Sequence, residues 1–150
     1  MPLPDEDMTL IAHAGALAEA VGARGAGARF VTRRLKKDVL EVRLGTELAP
    51  DAASALAQRV LASCGQPLAT VAVPGGRALR GVMGTGLGGL NPAVVTLTVT
   101  AADGGGTVLV RGAAKEGLIK QHGGRRAAEE IVSRWLAEDP TAWPETTPPD

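Results

Sequence analysis

Residues 94–100 constrain the fold of this chain more than any other segment. They read VVTLTVT, in which apolar residues alternate with threonines. Side chains of a strand point alternately to its two faces, so this period of two predicts a strand with one buried face and one solvated face. Burial on one side is typical of antiparallel sheets, because parallel sheets are covered by helices on both faces. The sequence therefore favours an antiparallel sheet backed by helices.

Other segments predict the remaining strands of this sheet. From Asp38 onward, Leu40, Val42 and Leu44 alternate with charged residues, which is the pattern of a half-buried strand. Further strands are predicted over 68–73, 77–83, 94–101 and 107–112, with turns rich in Gly, Pro and Asp between most of them. We expect about five strands.

Apolar residues also recur at helical spacing on both sides of the central strands. One stripe lies between Pro50, which suits a first helical turn, and Gly65, which suits a helix end. A closing helix is predicted from Ala128, Ile131, Val132, Trp135 and Leu136, with Leu118 and Ile119 continuing the stripe upstream. Gly123 and Gly124 interrupt it and indicate a kink, a later helix start or a close approach to the sheet. A weaker stripe predicts a first helix over 9–21.

These elements predict an α+β fold: an antiparallel sheet of about five strands with helices packed on one face, plus an N-terminal helix. Residues 1–7 and 138–150 are rich in proline and acidic residues, so we expect disordered tails there. Residues 8–37 are interpreted as the N-terminal helix and a basic linker, and 38–137 as the folded domain.

The junction LGTELAPDAASALAQRV, the hairpin over 94–112 and the closing IVSRWLA together resemble the helix-grip fold of the Bet v 1 or START-like superfamily. The resemblance is one of pattern over residues 38–137, and a ferredoxin-like or other α+β sandwich is the alternative fold. It implies a small apolar or amphipathic ligand between the sheet and the closing helix. The implied lining comprises Val95, Leu97, Val99, Val108, Val110, Ile131 and Trp135, which in a filled domain would be core residues.

Arg111 is a further candidate for this ligand site. It alternates with Val110 along the strand and therefore points to the other face from that valine. On the inner face it would be a buried charge that needs an anionic partner, and so a ligand anchor. On the outer face, beside Thr96 and Thr98, it would be an ordinary surface residue.

The motifs that suggest chemistry do not form a catalytic constellation. Gly84, Gly86 and Gly89 match the dinucleotide fingerprint, but a strand rather than a helix is predicted to follow them. The two histidines, His13 and His122, and the single Cys64 have no metal-ligand spacing. We therefore expect no catalytic residues, no metal and no cofactor.

The charge distribution restricts the partners. There are 16 basic and 16 acidic residues, and the aromatic residues are Phe30, Trp135 and Trp143, so nucleic-acid binding is not expected even though six basic residues lie between 24 and 37. No apolar run is long enough for a membrane span, so a cytoplasmic domain is expected. The sequence favours a non-catalytic binding domain for a small ligand. The alternative is a protein-interaction module that forms a homodimer.

Overall fold

A computed structural model describes residues 2–20, 36–85, 89, 91–116 and 121–145. Three helices and six strands are present in these ranges. The helices are α1 (Glu6–Ala20), α2 (Pro50–Cys64) and α3 (Gly123–Glu138). The strands are β1 (Lys37–Thr46), β2 (Gln66–Val73), β3 (Gly76–Thr85), β4 (Asn91–Ala102), β5 (Gly105–Lys115) and β6 (Trp143–Pro144). Within the described ranges, every helix is too short or too polar to span a bilayer.

The strands form one antiparallel sheet in the order β2-β3-β4-β5-β1-β6. This confirms the predicted α+β class and the predicted antiparallel sheet. The β3–β4 and β4–β5 ladders extend beyond the predicted segments, because pairing continues through Gly84 and Pro92 at one end and Gly105 at the other. The first strand lies beside the last long one, so the sheet is completed by residues far apart in sequence.

The two faces of the sheet are covered by different helices. We call the face that carries Val95, Leu97 and Val99 the inner face, and α2 and α3 pack against it. We call the opposite face, which carries Val94 and Thr96, the outer face, and α1 lies across it. The strict alternation of β4 produces this division, since successive residues of a strand point to opposite sides.

Helix α3 begins at the paired glycines. A Cβ on Gly124 would overlap the backbone of Asp38 and of Gly112, so the helix start lies directly against β1 and β5. Two carboxylates cap it from outside: Glu116 accepts a hydrogen bond from the amide of Gly123 at 2.8 Å, and Asp38 accepts one from the amide of Arg125 at 2.9 Å. A later helix start and a close approach thus both occur. The upstream residues Leu118 and Ile119 lie outside the described residues.

Both predicted tails contain ordered structure. α1 begins at Glu6 because Asp5 caps it, accepting a hydrogen bond from the amide of Met8 at 2.8 Å. At the other end, Asp139 is buried and β6 pairs with β1. Ordered structure therefore begins before residue 8 and continues past residue 138. Most of the predicted basic linker, 21–35, lies outside the described residues.

Candidate functional site

Cationic side chains from several strands lie on the outer face. Arg80, Thr96, Arg111 and Glu41 lie opposite one another across β3, β4, β5 and β1. Lys115 and Lys37 form the outward pair two positions beyond Ala113 and Val39. Because outward positions recur at every second residue, the register collects arginines and lysines from three strands on one surface.

The first turn of α1 lies on this cationic surface. Glu6 accepts two hydrogen bonds from the guanidinium of Arg111, at 3.0 Å from Nε and 3.2 Å from Nη2, and one from Nζ of Lys37 at 2.9 Å. Only 11% of the Glu6 side chain is exposed. The paired bonds from Arg111 give the contact a fixed orientation, as fork-shaped guanidinium–carboxylate contacts do.

Neighbouring groups extend the ionic contact. Oδ1 of Asp7 lies 3.1 Å from Nζ of Lys37 and 3.5 Å from Nζ of Lys115. The guanidinium of Arg80 donates to the hydroxyl of Thr96 at 3.0 Å and also to the carbonyl oxygen of Pro4. Residues 4–7 are thus held by cations of β1, β3 and β5.

The electrostatics of the pair stabilise its charged forms. Burial alone would raise the pKa of Glu6, but the hydrogen bonds from Arg111 and Lys37 outweigh it, and the pKa lies below the usual glutamate range. The hydrogen bond from Lys37 likewise lowers the pKa of Asp7. In return, the hydrogen bond to Glu6 raises the pKa of Lys37 and that of Arg111. All four groups are therefore ionised at neutral pH.

A small apolar cluster lies beside the ionic contact. Leu10, one helical turn after Glu6, is buried against Val82 and Val94, with Leu68 of β2 at the margin. Residues four apart lie on the same side of a helix, so the acidic and apolar contacts of α1 share one face. The outer face therefore binds a helix that combines a first-turn carboxylate with a large apolar side chain four positions later.

The structure brings together seven of the eight predicted site residues. Val95, Leu97, Val99, Val108, Val110, Ile131 and Trp135 belong to one cluster beneath α2 and α3, and each has 0% exposure. Arg111 is separate from them, on the outer face beside Thr96. It is nevertheless not an ordinary surface residue, because Glu6 binds it and its Nη1 donates to Glu41 at 2.7 Å.

Trp135 is fixed by a buried polar network at the end of α3. Its indole Nε1 donates to Oδ2 of Asp139 at 3.1 Å, and the hydroxyl of Thr46 donates to the same oxygen at 2.5 Å. Thr141 donates to Oδ1 of Asp139 from both its amide and its hydroxyl. Burial opposes ionisation, but these four hydrogen bonds outweigh it and lower the pKa of Asp139. Asp139 is thus a structural carboxylate whose acceptor capacity is already used.

An open groove of about 520 Å³ lies next to this network, between α2 and the turn that follows α3. Its wall includes Leu48 and Leu56, with Arg59 and Glu138 among the charged residues. None of the eight predicted site residues lines it. The groove is therefore distinct from the ligand position that the helix-grip resemblance implies.

The remaining sequence motifs do not assemble into a chemical site within the described residues. No group of three or more His, Cys, Asp or Glu side chains there could hold a metal ion. His13 lies with Nδ1 3.0 Å from the carbonyl oxygen of Thr9, and His122 caps α3 in the left-handed conformation. Strand β4 follows the Gly84 and Gly89 loop, whereas the dinucleotide fingerprint requires a helix there; Gly86 lies outside the described residues.

Sequence reasoning missed Glu6, Asp7 and Asp139. The first two belong to a run of three acidic residues after two prolines, and we assigned this run to a tail. An aspartate at an N-cap followed by acids in the first turn is a recognisable helix start, and this signal was available. The contact of Glu6 with Arg111, which lies 105 positions later, has no signal in the sequence.

Comparisons of the chain with protein-family models, with curated proteins and with solved structures each find no match. The outer face, the groove and the core are therefore the features from which a function can be inferred.

Proposed function

We propose that this chain is a non-catalytic binding domain that recognises an acidic helical segment of a protein partner on the outer face of its sheet. The observation that carries the proposal is the contact of Glu6 with both Arg111 and Lys37. In this proposal α1 occupies, within the free chain, the place that the partner segment takes.

The recognition pattern follows from how α1 is held. The partner segment would supply acids in its first turn for Arg111, Lys37 and Lys115, and a large apolar residue four positions later for the site of Leu10. The carboxylate contacts supply orientation and specificity, whereas burial of the apolar side chain supplies most of the affinity.

Salt-sensitive contacts in the docking of α1 support an exchangeable cover. Among the residues that the structure describes, Leu10 belongs to the outer apolar cluster and Ile11 is also buried, while Glu6 and Asp7 are held by ion pairs that salt screens. A partner that must first displace α1 binds with an apparent affinity reduced by the fraction of chains in which the site is open. A partner helix with additional apolar contacts would compete successfully.

The test uses the full chain and a labelled synthetic peptide of residues 2–20. In the variant Glu6→Lys/Asp7→Lys, the chain's own helix is repelled by Arg111 and Lys37. We expect this variant to bind the wild-type peptide roughly tenfold or more tightly than the wild-type chain does, since its site is open. Fluorescence anisotropy measures the binding, and rising salt should weaken it.

Two further variants and a competitor make this test specific. Adding Arg111→Gln to the open variant should weaken binding roughly tenfold or more without attracting the lysine introduced at position 6, whereas adding Arg43→Gln, the same change at an exposed outward position of β1, should not weaken it. Circular dichroism checks that each variant is folded. No peptide binding by the folded open variant would refute the proposal. Displacement by a single-stranded oligonucleotide at lower concentration than by unlabelled peptide would also refute it.

The helix-grip assignment and its small apolar ligand stay predictions. The seven implied lining residues do lie together away from water, which is what a buried apolar ligand requires. The same arrangement is that of a filled core, so it favours neither alternative. The outer face is preferred because its charged groups are positioned for a specific partner.

A further inference from the structure

Strand β2 forms one edge of the sheet. In the order β2-β3-β4-β5-β1-β6 it is the terminal strand. Among the residues that the structure describes, no strand pairs with the edge of β2 that points away from β3. Every second residue of such a strand directs its backbone N–H and C=O away from the neighbouring strand. Within the described part of the chain, β2 therefore presents a row of hydrogen-bonding groups that can accept another strand.

The composition of β2 does not protect this edge. Its eight residues, QPLATVAV, include no charged side chain, and Thr70 and Ala72 are exposed. Edge strands that must stay unpaired usually carry charges, above all lysine. Protection is confined to one end, where Pro67 lacks an N–H and the register with β3 shifts between Pro67 and Ala69.

The opposite edge of the sheet is partly covered by another strand. There β1 is covered at Leu44 and Gly45 by the two-residue strand β6, and the amide of Glu145 donates to the carbonyl oxygen of Arg43 at 2.8 Å. The indole of Trp143 lies against Gly45, where a Cβ would overlap it. β6 covers only this end of β1, and the rest of β1 carries charged residues at Lys37, Asp38 and Glu41, which discourage edge pairing.

We infer that two copies of this chain pair through β2, as antiparallel strands related by a two-fold axis, over the region Ala69–Val73. A second copy fits because an uncharged strand pairing with itself brings no like charges together. A two-fold contact also uses the same edge in both copies and closes, so it yields a dimer rather than a fibre. This inference is independent of the proposed function, because α1 and its acidic residues take no part in it.

Sedimentation velocity over the micromolar range tests the inference on the full chain. We expect a concentration-dependent dimer for the wild type. Ala72→Lys places like charges on the pairing edges and should weaken the dimer by roughly tenfold or more. The matched control is Ala62→Lys, at an exposed position of α2, which should leave the dimer unchanged.

Cysteine cross-linking tests the pairing geometry separately. In a Cys64→Ser background, single cysteines are introduced at positions 69, 70, 71 and 72, with position 62 as the control. An antiparallel pair related by a two-fold axis brings residues near the axis close to their own copies, so at least one of the four positions should form a disulfide-linked dimer, and position 62 should not. The inference is refuted by a wild-type chain that stays monomeric at its highest soluble concentration, by a dimer that Ala72→Lys does not weaken, or by cross-linking only at the control.

Discussion

The two faces of the sheet are held by different physical interactions. Nineteen buried residues of the described chain form the cluster on the inner face, and it contains no charged group. Among the described residues, the cluster on the outer face has three buried members, and the ionic contacts of Glu6 and Asp7 lie beside it. Stability therefore resides mainly beneath α2 and α3.

The inner face therefore stabilises the fold, whereas the contacts of the outer face can respond to pH, salt and a competing partner. Hydrophobic burial depends little on pH or salt, whereas ion pairs near the surface depend on both. Conditions or partners that release α1 from the outer face can therefore leave the sheet and its two inner helices intact.

Loss of the central aromatic residue of the inner face should have the largest effect. Trp135→Ala removes a fully buried indole and the hydrogen bond to Asp139, so we expect the free energy of unfolding to fall by about 3–5 kcal/mol. Urea denaturation followed by circular dichroism measures it. The matched change Trp143→Ala, at a residue that is 49% exposed, should cost much less. Equal losses for the two variants would contradict the assigned roles of the faces.

Truncation of Leu10 should weaken the docking of α1 without unfolding the sheet. Leu10→Ala removes a buried side chain from the small cluster, at about 2–3 kcal/mol of α1 docking free energy. Hydrogen exchange of α1 amides should accelerate accordingly, while amides of β4 and β5 keep their protection. Met8→Ala, at an exposed residue of the same helix, is the control and should change neither. Loss of protection throughout the sheet would show that α1 is integral to the fold.

Neutralising the ionic contact should have the smallest effect and the clearest pH signature. Glu6→Gln should weaken α1 docking by about 1–2 kcal/mol at neutral pH, whereas Glu41→Gln, at the more exposed partner of Arg111, should have less effect. Because the pKa of Glu6 is lowered in the folded chain, its contribution is present above the usual glutamate range and disappears as the pH falls through and below it.

Hydrogen exchange of the α1 amides, measured as a function of pH, checks this pH dependence of α1 docking. The rates are corrected for the intrinsic exchange rate. The wild type should lose α1 protection as the pH falls below the usual glutamate pKa range, and Glu6→Gln should lose less of it. A protection that grows on acidification would contradict the ionic contact.

The sequence predicted local patterns well and distant pairings poorly. The alternation of β4 and the apolar stripe of α2 follow from the geometry of a strand and a helix, and both are confirmed. The face on which Arg111 lies depends on the register of β5, and the sequence left it open. The ion pair between Arg111 and Glu6 and the network of Asp139 depend on contacts between residues about 100 positions apart, which no local pattern records.

The position of β1 has a consequence for how the chain assembles during synthesis. β1 is made early, but it lies between β5 and β6, and the bond from Thr46 to Asp139 joins residues 93 positions apart. Its apolar side chains Leu40, Val42 and Leu44 must therefore wait for the rest of the sheet. The β2–β3–β4 meander can form before β5 emerges from the ribosome, since its pairings are between neighbours in the chain. β1 can pair with β5 only after β5 has been made, so the sheet is completed late in synthesis.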